Sequence, residues 1–310
     1  MPKANPEPVP KALPRAAGKG GLVTAAIGLL ASVALAGCGA GGGDSDSGTI
    51  RLGLAPDEDS AAVLRKFEPF ISYLSEETGL EIEPYVGADY TAVIEAMDSG
   101  HLDAAWFGPS EYVLATSAVD NGVEAFAAAI QAEDTVDYRT SFVVRSDSGI
   151  EGVEDFAGKT VAFTDPASTS GHIFGRYALA EAGHDADELF GRVVYSGSHD
   201  ASLLSVVNGQ ADVAAVSSRK IAGFIEGGLV ERGEITTVFE SVEIPADPIT
   251  YRADLPAEVK ESLSSALLED SPALEASLEG TGFARFDKAD DKVYDLVRDA
   301  YAATGLEPQL

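Results

Sequence analysis

Alternation restricts this fold more than any other feature. From residue 49 onward, short apolar runs of strand type alternate with segments whose apolar residues recur at helical spacing. Residues 49–54 form the first run and end in a glycine-containing turn. Segment 61–77 follows, with Leu64, Phe67, Phe70, Ile71 and Leu74 at helical period; Pro69 inside it marks either a kink or the true start. A strand at 81–85, a helix at 90–97, a strand at 103–107 and a helix at 110–118 continue the order. This order predicts a mostly parallel sheet with helices on its faces. A second unit of the same kind begins near Tyr138, with strands at 141–145, 158–163, 192–195 and 211–216 and helices at 168–182 and 201–208. Beyond Pro245 come a strand at 248–251 and helices at 256–268 and 290–304. Two α/β units joined near 136–142 and again near 245–250 predict a two-lobed clamp with its ligand between the lobes. Lobe 1 is expected at 49–137 plus 248–310, and lobe 2 at 138–247.

The N-terminus reads as a processing signal. Lys3, Lys11, Arg15 and Lys19 precede an apolar run at 22–35 that is too short for an ordinary membrane-spanning helix. That run leads into Leu35-Ala36-Gly37-Cys38, and Cys38 is the one cysteine in the sequence. Small residues before a cysteine resemble the lipobox of bacterial lipoproteins, which implies cleavage after Gly37 and a lipid on Cys38. The alternative is a plain signal peptide with an incidental cysteine. Residues 1–37 are thus expected to be a signal peptide, and 38–48, rich in Gly, Ser and Asp, a flexible tether.

Composition narrows the function. A formal charge of −30 argues against a nucleic-acid surface. One cysteine excludes an intramolecular disulfide and a Cys-rich metal site. Four scattered histidines offer no HExxH, so no catalytic metal and no cofactor is expected.

The densest chemical signal is Asp165-Pro166-Ala167-Ser168-Thr169-Ser170-Gly171-His172, which follows a strand and opens a helix. Free N–H groups and partial positive charge at a helix start suit an anion, and three hydroxyls in a row exceed what an N-cap needs. Tyr195-Ser196-Gly197-Ser198-His199-Asp200 repeats the arrangement, and His199 could donate to an oxyanion or sit in a solvated loop. Asp247 lies between Pro245 and Pro248 at the second crossing, where a turn role is the alternative. Tyr90 opens a helix of the first unit and Tyr138 lies at the first crossing; packing is the alternative for each.

Together these segments resemble the phosphonate- and phosphite-binding family of ABC-transporter solute-binding proteins. The matching stretches are Leu52-Gly-Leu-Ala-Pro-Asp-Glu-Asp59, Tyr90-Thr-Ala-Val-Ile-Glu-Ala-Met97, Asp103-Ala-Ala-Trp-Phe-Gly-Pro109, residues 165–171, Gly197-Ser-His-Asp200 and residues 244–248. The resemblance implies a type II periplasmic-binding-protein clamp, α/β in class, with two lobes that are each a mixed sheet flanked by helices. It places ligand contacts on Tyr90, Tyr138, Ser168, Thr169, Ser170, His199 and Asp247. It further implies a small phosphorus oxyanion as ligand, an ABC-transporter permease as partner, and a monomer anchored outside the cytoplasm through Cys38. Family members that bind an aminoalkylphosphonate carry an acidic residue shortly after the strand matching 211–216, where this sequence reads Ser217-Ser218-Arg219-Lys220. An unpaired ligand ammonium would be costly to bury, so a ligand without an amine is expected. No Lys or Arg falls among the seven positions, so neutral donors are expected to hold the anion and Asp247 to accept a hydrogen bond from a ligand P–OH.

Two other classes are open to such a chain. An enzyme acting on a phosphonate or phosphate ester would need a nucleophile–base pair, and Ser168–Ser170 have neither a GxSxG nor a Ser-x-x-Lys context. The expectation is therefore not an enzyme. A ligand sensor docked on a receptor would share the clamp but would not account for the lipobox.

Overall fold

The computed structural model describes residues 48–132 and 136–307. The expected signal peptide, Cys38 and the expected tether up to residue 47 lie outside the described residues. Two sheets organise the remainder. The first has six strands in the order β11-β4-β10-β3-β1-β2, built from β1 (Thr49–Leu54), β2 (Glu81–Val86), β3 (Ala104–Trp106), β4 (Val123–Gln131), β10 (Asp247–Arg252) and β11 (Phe283–Lys288). The second has five in the order β7-β6-β8-β5-β9, from β5 (Thr140–Arg145), β6 (Thr160–Phe163), β7 (Arg192–Tyr195), β8 (Val213–Ser217) and β9 (Ile235–Glu240). The chain leaves the first sheet after β4 and returns to it at β10.

Both sheets are mixed rather than mostly parallel. β1 runs parallel to β2 and β3, with Leu52 opposite Ala104 and Leu54 opposite Trp106, but β10 is antiparallel to β3 and β4, and β11 to β4. In the second sheet β6 runs parallel to β7 and β8, whereas β5 is antiparallel to β8 and β9. The strands that run against the rest are β5 and β10, each the first strand after a crossing, and β11, which follows β10 through α8 and α9 and runs in the same sense as it.

Helices cover both sheets: α1 (Ser60–Thr78), α2 (Tyr90–Asp98), α3 (Pro109–Ala118), α4 (Phe174–Glu181), α5 (Ala186–Leu189), α6 (His199–Val207), α7 (Ser218–Glu226), α8 (Ala257–Leu268), α9 (Pro272–Ser277) and α10 (Asp295–Thr304). α1 is one helix through Pro69. Asp59 caps its start by accepting from Ala62 N, and Gly79, at φ 68°, ends it in the left-handed region. Val63, Phe70, Tyr73 and Leu74 are buried along one face while Pro69 is exposed, so core packing offsets the lost hydrogen bond.

Trp106, at the end of β3, is the hub of an aromatic cluster, with Phe67, Phe70, Phe283 and Phe286 at ring separations of 5.0 to 5.3 Å. A second cluster joins the two halves of the molecule: Tyr90, Phe107 and Tyr294 share it with Ile173 and Phe174. The expected helix at 168–182 is a π-helical turn at Thr169–Ile173 followed by α4, and the expected helix at 290–304 is a 3-10 turn at Asp291–Tyr294 followed by α10. Among the described residues no helix is long and apolar enough to cross a membrane.

Candidate functional site

The C-terminal ends of β1, β3, β6 and β8 point at one crevice between the sheets, the place where α/β folds expose helix starts and loop groups to ligands. A cavity of about 120 Å³ lies there, small beside the ~300–1,000 Å³ pockets that take drug-sized ligands. Of the seven residues expected from sequence, Tyr90, Tyr138, Ser168, Thr169, His199 and Asp247 line it, and Ser170 does not. Ser170 is buried one layer behind, its Oγ accepting from the Tyr138 hydroxyl at 3.3 Å and its carbonyl accepting from Thr140 Oγ1.

The hydroxyl segment serves as cap and donor together. Ser168 Oγ accepts from Gly171 N at 3.1 Å, and Thr169 Oγ1 accepts from Ser110 N, across the crevice, at 2.9 Å. Each hydroxyl keeps its own hydrogen for another acceptor. As first residues of the turn, Thr169 and Ser170 have N–H groups with no acceptor inside the helix. Gly171 is required by close approach: a methyl there would lie 2.2 Å from Thr164 Oγ1 and 2.8 Å from Ser168 Oγ.

His199 opens α6 and is buried. Its Nδ1 accepts from Ser217 N at 3.2 Å, and a backbone nitrogen can only donate, so the imidazole proton sits on Nε2. Burial first, then the charge of Lys220, pushes the imidazole pKa down to about 3. His199 is thus a neutral Nε2–H donor near neutral pH. Its backbone N–H reaches across to the Asp57 carbonyl at 3.0 Å.

The expectation of neutral donors alone does not hold, because Lys66, Arg219 and Lys220 also line the cavity. Arg219 Nη2 lies 2.8 and 3.1 Å from the two Asp247 oxygens, and its guanidinium carbon is 3.4 Å from the centre of the Tyr138 ring. Asp247, expected to accept from a ligand P–OH, is thus engaged by a cation as well, and its oxygens keep further acceptor sites. Burial raises the Asp247 carboxyl, and Arg219 pulls it back. Arg219 Nη1 is buried without a hydrogen-bond partner among the described residues. Lys220 pairs with Asp57 at 2.8 Å and with Glu58, which also accepts from Lys66 at 3.3 Å.

Sequence reasoning passed over Arg219, Lys220, Lys66, Asp57 and Glu111. Arg219 and Lys220 lie in a segment noted only for lacking a carboxylate, and the β8–α7 junction is what turns them into the crevice. Trp106 lines the cavity, whereas Phe107 is fully buried in the core. Among the described residues no group of three or more His, Cys, Asp or Glu is arranged to hold a metal.

A family model described as "ABC transporter, phosphonate, periplasmic substrate-binding protein" matches residues 52–294. The phosphate-import protein PhnD of Mycolicibacterium smegmatis is 31% identical over 283 residues, covering 84% of this chain and 87% of the relative. The phosphonates-binding periplasmic protein of Escherichia coli K12 is 28% identical over 251 residues, covering 78% of this chain and 72% of the relative. Among solved structures, a binding protein component of an ABC phosphonate transporter from Pseudomonas aeruginosa superimposes with a TM-score of 0.76 at 25% identity, over 83% of this chain and 87% of that one.

Proposed function

The chain belongs to the ABC-transporter family of phosphonate periplasmic substrate-binding proteins, and from that membership we propose that it captures a small phosphorus oxyanion lacking an amine. Members of this family are extracytoplasmic substrate-binding components of importers, not enzymes. The single observation that carries the ligand reading is the convergence of donors on one small cavity. Ser168 and Thr169 hydroxyls, the start of the π turn, the His199 Nε2–H and the Arg219 guanidinium all border it, and each can donate to an oxyanion.

Arg219 supports a ligand without an amine. It occupies both oxygens of Asp247 and covers the Tyr138 ring, so that carboxylate is not free to pair a ligand ammonium. Phosphite, hypophosphite, methylphosphonate and phosphate fit these terms. The M. smegmatis relative is named for phosphate import and the E. coli relative for phosphonates, and both ligand classes present tetrahedral P–O groups. Calorimetric titration with phosphite, methylphosphonate, phosphate, 2-aminoethylphosphonate and sulfate tests the reading. The amine-free phosphorus ligands should bind, and 2-aminoethylphosphonate should bind weakest of the phosphorus set. If the aminophosphonate binds tightest, the exclusion of amines is wrong.

The lipobox-like Leu35-Ala36-Gly37-Cys38 supports a chain tethered by a lipid on Cys38 and delivering ligand to a permease in the same membrane. Cys38→Ala should then release the protein from the membrane fraction. Retention of the variant after a carbonate wash would rule the anchor out.

A further inference from the structure

The cations at the cavity are matched by carboxylates: Arg219 with Asp247, Lys220 with Asp57 and Glu58, and Lys66 with Glu58. Glu111 also lines the cavity and forms no ion pair among the described residues. It is the third residue of α3 and only 1% exposed. Its Oε2 accepts from Gly108 N at 2.7 Å, while its Oε1 is buried with no hydrogen-bond partner among the described residues. The carboxyl stands beside the hydroxyl segment, since a methyl built on Gly108 would lie 2.9 Å from Thr169 Oγ1 and 3.1 Å from Glu111 Oε2.

The titratable groups facing Glu111 come from every side, and none is a cation in contact with it. They are Asp57 beyond β1, Asp165 beyond β6, Asp247 on β10, Tyr90 on α2, Tyr138 in the first crossing and Tyr301 on α10. Burial first, then the charges of Asp165, Asp57 and Asp247, pushes the Glu111 carboxyl well above the usual carboxylate range, against the one bond from Gly108. A charged, unpaired carboxylate here would also repel an arriving anion.

Resting on the oxyanion reading above, we propose that Glu111 meets the ligand as a neutral carboxylic acid whose Oε1–H donates to a ligand oxygen, so that the anion is captured with a proton held on the protein. The oxygen without a partner in the protein then gains one in the complex. Loss of that proton removes a donor and adds a like charge, so apparent affinity falls about tenfold per pH unit once the acid dissociates.

Hypophosphite is the probe, because its single ionisation lies in strong acid and supplies no proton near neutrality. Calorimetry from about pH 6 to about pH 9.5, in two buffers of unlike ionisation heat, reads both affinity and proton uptake. Wild type should show a flat acid limb, an alkaline limb falling about tenfold per unit, and uptake rising toward one proton along that limb. Glu111→Gln keeps an acceptor for Gly108 N and a donor toward the ligand, and its profile should lose that limb. Lys66, whose pKa burial lowers, can lose charge at high pH in both proteins, so the difference between the profiles reports Glu111. Should the variant fail to fold, the infrared C=O band of a protonated carboxyl in ligand-free wild type at pH 7 is the second measurement. Superimposable profiles, absence of that band, or stronger binding of 2-aminoethylphosphonate than methylphosphonate that Glu111→Gln abolishes would each overturn the proposal. If wild type binds no phosphorus oxyanion, the ligand reading fails and the coupled capture with it, and the band separates that failure from a Glu111 that holds no proton.

Discussion

Arg219 and Asp247, one at the start of α7 in the second half of the molecule and the other opening β10 of the first sheet, meet through a single guanidinium nitrogen 2.8 and 3.1 Å from the two carboxylate oxygens. Their side chains are 17% and 10% exposed, so neither can fall back on water if the other is removed. Breaking a buried pair by deleting one partner costs about 3–5 kcal/mol, whereas deleting both costs much less. Arg219→Met and Asp247→Asn are each expected to destabilise the protein by about that much in urea unfolding, with the double variant well below the sum. Two singles within ~0.5 kcal/mol of wild type would mean that the pair is worth no more than a surface contact.

Thr169 is expected to be the most sensitive hydroxyl. Its Oγ1 accepts Ser110 N across the crevice and keeps a hydrogen for the ligand, so Thr169→Ala removes a donor and orphans an amide. A charge-assisted bond is worth ~1.5–3 kcal/mol, which puts the loss at roughly ten- to hundredfold in affinity for a phosphorus oxyanion. Thr169→Ser should restore most of it. Unchanged affinity in both Ser168→Ala and Thr169→Ala would reduce the segment to a helix cap.

Acid sensitivity should trace in part to His199. The unfolded imidazole titrates near 6.5 and the folded one near 3, so the unfolded state binds more protons between those values. The stabilisation is complete above about pH 6.5 and is lost as pH falls toward 3, at up to ~1.4 kcal/mol per pH unit. His172, held to about 4 chiefly by burial, adds a second proton over the upper part of that window. His199→Asn should lower the slope of unfolding free energy between about pH 4 and pH 6.5 by one proton. An undiminished slope would show that His199 is not held neutral.

Lys220 is expected to hold the two halves together. It reaches from α7 to Asp57 and Glu58 in the loop beyond β1, the same loop whose Asp57 carbonyl takes the His199 N–H. Lys220→Met should enlarge the radius of gyration of the ligand-free protein in small-angle scattering and weaken oxyanion binding by about tenfold, since part of the binding energy must then close the crevice. A variant with wild-type scattering and affinity would leave Lys220 as a packing residue.

Local signals were legible wherever one stretch of chain contained its own cause. The helical spacing of Phe67, Phe70 and Leu74, the short apolar run of β1, and the hydroxyls of Ser168, Thr169 and Ser170 at a helix start are short-range patterns, and the elements they imply are present. The resemblance carried the seven expected positions as a set, and six of them border one cavity. β4 shows where short-range reading stops. Its Val-Glu-Ala-Phe-Ala-Ala-Ala-Ile-Gln run has helix-forming composition, yet pairing with β10 on one side and β11 on the other makes it a strand. The charge arrangement of the site was decided at the same level. Whether Arg219 opposes an incoming amine, pairs a carboxylate or faces solvent depends on β8 ending opposite β10. Likewise Glu111, a routine third residue of a capped helix by sequence, is a buried carboxyl without a counter-ion among the described residues because of what the fold packs around it. Sequence alone determined the alternating elements and the run of hydroxyls at a helix start. Tertiary structure decided which charges cancel, because Coulomb energies and desolvation depend on distances between groups far apart in the chain.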